Sequence, residues 1–335
     1  MSQFKVEVVK AKLEKHSNAD TLSVVIVGGW QCVVKTADFE GVELGAYIPI
    51  DSIVPDVPEF EFLRSHKFRV KTIKLRGLLS QGLLIPAKCG WYEGDDVTEE
   101  LGVKKYEPPE MLHFGGELIQ EPAGFEYHTD IEQIQNYPSV FVEGEDDVIV
   151  TEKIHGTNAR FGLIDGVFYV GGHQSAQKYP GVTVYAKVAE KLEIEKKMRR
   201  LERNYLTVKG WVKVENVVLY GEIYGRFGEK RIQSLDYGRV DPGLIIFDVQ
   251  VNGKFLDWPD IERCLQVMDL QTPPVLYEGK FIKSIIDDLT EGKTVLGNGL
   301  HLKEGVVIRA RREEFHPEMG RKWLKRVSNN YLLKE

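Results

Sequence analysis

The chain predicts an α+β protein in two parts. A small N-terminal β-barrel is expected over residues 1–105, and a mixed domain of strands and helix over residues 136–335. Three observations carry this. Short β-branched runs recur through the first hundred residues and are punctuated by glycine. A stretch rich in proline and glycine follows. One segment with apolar residues at helical spacing then interrupts the strands of the second part.

In the first part, Leu22-Ser-Val-Val-Ile-Val27, Gln31-Cys-Val-Val34 and Ala46-Tyr-Ile-Pro-Ile50 read as strands, with a shorter pair at Val8-Val9. Gly28-Gly29, Gly41, Gly45 and Pro55 supply the turns. Between about 106 and 135, Pro108-Pro109, Gly115-Gly116, Pro122 and Gly124 predict a linker with little regular structure. In the second part, Val148-Ile-Val150 and Val167-Phe-Tyr-Val170 read as strands. Val184, Val188, Leu192, Met198, Leu201 and Tyr205 predict one amphipathic helix with a packing role.

With 335 residues, 42% hydrophobic and 28% charged, the composition suits a soluble globular protein. No apolar run approaches the ~20 residues that span a bilayer, so no membrane association is expected. Met1-Ser-Gln-Phe-Lys-Val6 lacks the layout of a secretory signal. Cys32, Cys89 and Cys264 show no metal-type spacing, read as buried small hydrophobes, and fit a reducing, cytoplasmic compartment. A net charge of −7 argues against indiscriminate coating of nucleic acid. Local basic surfaces exist all the same. Arg64, Lys67, Arg69, Lys71, Lys74 and Arg76 fall in one stretch without an acid, suiting either phosphate contacts or a solvated strand face. Trp30, Phe68 and Trp91 are candidates for base stacking, with the core as the competing place for each.

The chemistry concentrates after residue 150. Lys153 ends a short apolar strand in Thr151-Glu-Lys-Ile-His-Gly-Thr-Asn-Ala-Arg160. A lysine attacks only when neutral. With an ordinary pKa of ~10.4, about one in a thousand is neutral near pH 7.5, a deficit of ~4 kcal/mol. Val150 and Ile154 offer desolvation, and basic residues near the C-terminus offer repulsion. Gly156 would bring backbone close to a nucleotide without a Cβ. Glu222 in Leu219-Tyr-Gly-Glu-Ile223 and Glu304 in Glu304-Gly-Val-Val-Ile308 are carboxylates beside glycine, suited to Mg²⁺ or Mn²⁺. Lys325, in Trp323-Leu-Lys-Arg-Val327, would place a cation at a phosphate. Glu291-Gly-Lys-Thr294 looks like the end of a phosphate-binding loop, but Asp287 stands where that motif needs glycine.

In this order, the motifs from Thr151, Val217, Leu244, Glu304 and Trp323 resemble those of the covalent nucleotidyltransferases, polynucleotide ligases and mRNA capping enzymes. Glu152-Lys-Ile-His-Gly-Thr-Asn158 is similar to the RNA ligase 2 group. The stretch from His16 to Gly29 looks like the start of an OB-fold, and an OB-like half before the ligase module resembles the RNA ligase 5 group. The resemblance implies ATP as nucleotide and RNA or an RNA-containing duplex as partner. It implies Lys153 as the adenylated nucleophile, with Glu152, Ile154 and Asn158 around the nucleotide. Glu222 and Glu304 would serve ribose or metal, Phe247 the adenine, Lys325 the phosphate and Asp248 a supporting role. The chain departs from the pattern at three places. Val327 stands where a second lysine is expected, with Lys322 or Arg326 as candidate substitutes. His173 stands near the place of an arginine, and His155 where the RNA ligase 5 group commonly has aspartate. DNA ligases and capping enzymes carry their OB domain after the last motif, which disfavours both here. A GTP-using capping-type enzyme and a non-catalytic RNA-binding protein with a degenerate ligase fold remain as alternatives. A monomer is expected.

Overall fold

The computed structural model describes residues 4–106, 116–128, 130–173, 175–201, 205–207, 210–212 and 214–334. The chain forms two compact units. One comprises residues 2–109, 133–139 and 329–335, the other 110–132 and 140–328.

In the first unit the expected strands form as Glu7–Lys10, Leu22–Val27, Trp30–Lys35 and Leu44–Ile48. Leu22–Val27 and Trp30–Lys35 make a hairpin that pairs Val27 with Trp30, leaving Gly28-Gly29 as a two-residue turn. Gly28 takes a positive φ of 57°, and a Cβ on Gly29 would lie 2.8 Å from Gln135 Cα. In place of one closed barrel, the described strands form short sheets, the largest having three strands, around two apolar clusters. Trp30 is buried and donates its indole N–H to Asn136, and Phe68 and Trp91 pack against the core. The stacking candidates are therefore core residues.

The second unit holds two antiparallel sheets. In one, Val275–Lys280, Asp147–Lys153, Gly305–Ala310 and Trp323–Val327 lie side by side. The other has seven strands and centres on Thr157–Ile164, Val217–Tyr224 and Gly243–Val251. Val217–Tyr224 and Gly243–Val251 are rich in β-branched residues and buried on both faces, which is why they read as near-continuous apolar runs instead of alternating ones.

The amphipathic segment is not one helix. Val184–Lys191 and Ile194–Met198 are helical, but Glu193 between them is left-handed, with φ 51°. Tyr205 opens a strand, Tyr205–Thr207, where the β-prone Tyr-Leu-Thr run overrides helical spacing. The packing role is right: Val184, Val188, Met198 and Leu201 are buried against the sheet, and Leu192 is half-buried beside them. The segment expected to be a linker contributes to this core as well. Phe125 is fully buried with Ile164, Val218 and Tyr220. Of the cysteines, Cys32 and Cys264 are buried as expected, and burial pushes the Cys32 thiol up to about 12. Cys89 is exposed, because it lies in an irregular loop outside the core. Among the described residues no helix is long and apolar enough to cross a membrane.

Candidate active site

Strand register brings the motifs together. Lys153 pairs with Gly305, and Val307 on the same strand pairs with Lys325. In the other sheet Asn158 faces Glu222, and Glu222 faces Ile245. A pocket of about 340 Å³ opens where these strands meet. Its walls include Lys153, Ile154, Asn158, Glu222, Ile245, Phe247, Arg309 and Lys325. Phe247 is aimed by a bulge. Tyr220 pairs with Asp248 and Gly221 with Ile246, so Phe247 is the extra residue between them. Its ring meets His128 and Trp323 nearly edge-on, at 5.5 and 5.9 Å.

A chain of polar contacts holds the nucleophile candidate. Lys153 Nζ lies 2.6 Å from Glu304 Oε1, and Glu304 Oε2 lies 3.3 Å from His155 Nδ1. His155 Nε2 is 3.0 Å from Ser234 Oγ, and its backbone N–H donates to the Tyr237 hydroxyl. Burial alone would raise the Glu304 carboxyl, but Lys153 and His155 outweigh it and hold it down at about 2. Glu222 shows the opposite balance. Burial and the charge of Glu304 push it up to about 8, against the weaker pull of Lys153 and the Gly156 N–H, which donates at 3.0 Å. Glu222 is half-buried on the pocket wall. Lys325 is lowered, first by burial and then by repulsion from Lys153.

The donor set fits a hard divalent cation. Glu222 and Glu304 offer carboxylate oxygens, and Glu222 is raised because too little positive charge offsets its burial. The buried Asn158 Oδ1, also on the pocket wall, has no hydrogen-bond partner. Among the described residues no cluster of three or more His, Cys, Asp or Glu is poised for a metal. Two carboxylates suffice for Mg²⁺, which keeps several waters.

Other expected residues have partners within the protein. Glu152 is buried on the pocket wall, and its carboxylate accepts from Thr294 Oγ1 and from the N–H groups of Val295 and Leu296, anchoring that loop. The Glu291–Thr294 sequence is thus a structural loop. Asp248 is fully buried under the pocket, paired with Arg321 at 2.6 Å, His128 at 2.9 Å and Arg309 at 3.4 Å. Burial would raise its carboxyl, yet the two arginines and His128 hold it well below the carboxylate range.

Neither substitute for the second lysine reaches the pocket. Lys322 pairs with Asp146 and Glu314, and Arg326 pairs with Asp287. Strand alternation turns both away from the face that carries Trp323 and Lys325. Val327 shares that face but is buried. His173 does line the pocket, 3.6 Å from Asp130. Gly156 lines the pocket, and close packing also requires glycine there, since a Cβ would lie 2.3 Å from the Ile223 carbonyl oxygen. In the first unit, folding brings acids to the basic stretch: Arg64 pairs with Asp56 and Glu61, and Arg69 with Asp51. Lys67, Lys74 and Arg76 remain exposed, and Lys71 is half-buried.

The sequence reading missed His128, Ser234, Tyr237 and Trp258, while Arg321 belongs to the basic residues near the C-terminus and pairs with Asp248 and Glu313. Arg309 and Trp323 stand inside motifs already singled out. His128 lies in the supposed linker, where no local pattern marks it.

The family model for RNA ligase matches residues 146–327, more than half of the chain. The chain belongs to the RNA ligase family. An OB-fold domain model matches residues 5–87, so the N-terminal part of this RNA ligase is an OB-fold domain. Solved structures of Naegleria gruberi RNA ligase resemble it along nearly its whole length. A form with ATP and manganese is 24% identical with a TM-score of 0.81, covering 98% of each chain. A form with pyrophosphate gives the same identity and score, over 100% of this chain and 99% of that one. A form with AMP and manganese is again 24% identical with a TM-score of 0.81, over 99% of each. At this identity the likeness establishes a shared fold. No curated protein sequence matches the chain.

Proposed function

We propose that this RNA ligase-family protein uses ATP to seal 3′-OH/5′-phosphate breaks in RNA, through a covalent adenylate on Lys153. The observation that carries this reading is the meeting of Lys153, Glu222 and Lys325 at one pocket of nucleotide size, with Glu304 paired to Lys153. The Naegleria structures with ATP, AMP, pyrophosphate and manganese support the choice of nucleotide and of a divalent ion.

In the first step the Lys153 amine attacks the α-phosphorus. A nitrogen–phosphorus bond forms, and the bond to pyrophosphate breaks. Lys325 faces the charge that builds on the phosphate, in a site where burial strengthens its field. Phe247 and Ile245 hold the base, and Ile154 packs behind the nucleophile with Tyr224 and Tyr237. Glu222 and Glu304 would hold a divalent ion, which supplies charge neutralisation at the phosphate when bound. His155, fixed by Ser234 and Tyr237, orients Glu304. In the second step an oxygen of the RNA 5′-phosphate takes the AMP from lysine, breaking the nitrogen–phosphorus bond. In the third, the 3′-hydroxyl attacks the 5′-phosphorus and AMP leaves. Nicks in duplexes with RNA on the 3′-OH side are the proposed substrate. Every group invoked comes from one chain, so a monomer is the proposed working unit, and exposed basic residues of the OB domain assist in holding RNA.

The test is incubation with α-labelled ATP or GTP and Mg²⁺ or Mn²⁺, followed by a denaturing gel. Label from ATP that survives denaturation, and that Lys153→Ala abolishes, is expected. Preference for GTP would favour a capping-type enzyme. RNA binding with no label from either nucleotide would favour a non-catalytic binding protein.

A further inference from the structure

We propose that Tyr127 is a stacking platform for the base of the RNA nucleotide that carries the 5′-phosphate. The proposal rests on the RNA-sealing reading and adds a substrate contact that this reading does not contain. Residues on both sides of Tyr127 are anchored. Phe125 is fully buried in the core, the Glu126 carbonyl accepts from the Tyr220 hydroxyl at 3.0 Å, and His128 is buried against Asp248. Tyr127 between them is 58% exposed, so its outward position is set by its neighbours. Its ring meets His173 at 5.7 Å with planes 66° apart, so His173 covers at most one of its faces.

His173 lines the same pocket as Lys153 and Lys325, which puts Tyr127 at the pocket rim. A 5′-phosphate that reaches Lys153 brings its own base to this rim. The nearby Asp130, exposed and 3.6 Å from His173, disfavours a second phosphate there and tolerates the amino groups of a base. An open aromatic face held at such a rim suits base stacking, which accepts any base.

The test uses a 5′-phosphorylated oligoribonucleotide with 2-aminopurine as its first nucleotide, whose fluorescence falls on stacking. The unsubstituted protein and Tyr127→Phe are expected to quench it. Tyr127→Ala is expected to lose the quenching and to bind the RNA about tenfold more weakly, while nucleotide labelling is unchanged. Quenching by Tyr127→Ala equal to that of the unsubstituted protein, no quenching by either, or an equal loss of labelling in Tyr127→Ala would overturn the proposal. Failure of the unsubstituted protein to label would instead count against the ligase reading, and the fluorescence would still decide the role of Tyr127.

Discussion

Asp248 and Glu222 are carboxylates on adjacent strands of the same sheet, yet their surroundings treat charge in opposite ways. Asp248 meets two arginines and a histidine, and Arg321 in turn is held by Glu313 at 2.6 Å. Every charge there has a partner, and the carboxyl stays ionised. Glu222 receives one backbone N–H and the partial help of Lys153, already paired with Glu304. Its carboxyl is pushed up to about 8, and nearby Lys325 is pushed down. A closed charge network positions structure. An under-compensated one is complete only when a phosphate and a cation enter.

Breaking the closed network should have the largest effect on stability. Asp248→Ala leaves buried arginines without their carboxylate and is expected to cost about 3–5 kcal/mol, read by urea or thermal unfolding. A loss below about 1 kcal/mol would mean the network is not the scaffold described. Gly156→Ala acts on the other side of the comparison. Its Cβ would meet the Ile223 carbonyl oxygen at 2.3 Å, shifting the loop that follows Lys153. Nucleotide labelling should fall about 100-fold, as expected for a nucleophile displaced by ~1 Å, with only ~1–3 kcal/mol lost in stability.

Glu222→Gln sharpens the contrast through pH. The folded carboxyl at about 8 lies above its ordinary 4.5. The proton is therefore bound more tightly in the folded state, and the resulting stability is full below pH 4.5 and lost as pH rises to 8. Ligand-free stability should decline across that window, with a slope of at most on the order of 1 kcal/mol per pH unit. Glu222→Gln should flatten the decline while lowering labelling, and an unchanged slope would contradict the assignment. Lys322→Ala should do least to the chemistry: labelling within twofold of the unsubstituted protein, with ~1–3 kcal/mol of stability lost because its carboxylate partner Asp146 is largely buried.

Much of this was legible in the sequence because strand ends and motifs coincide. Lys153, Asn158, Glu222, Phe247 and Lys325 all reach one pocket, as their order suggested. Glu304 joins them through its contact with Lys153. Partnership across space was not legible. Glu152 lines the pocket as its motif suggested, but its hold on Thr294 and the two residues after it is not visible in the sequence. The stretch from Arg64 to Arg76 looks uniformly basic until Asp51, Asp56 and Glu61 fold onto it. The break at Glu193 has neither glycine nor proline to announce it. His128 sits where proline and glycine suggested only a connection.

The most direct measurement is intact-mass spectrometry of the protein after incubation with ATP and Mg²⁺, followed by peptide mapping. The account predicts a mass increase of one AMP, located on the peptide that contains Lys153 and discharged by added pyrophosphate. An adduct on another residue, or none in folded protein with either Mg²⁺ or Mn²⁺, would contradict it.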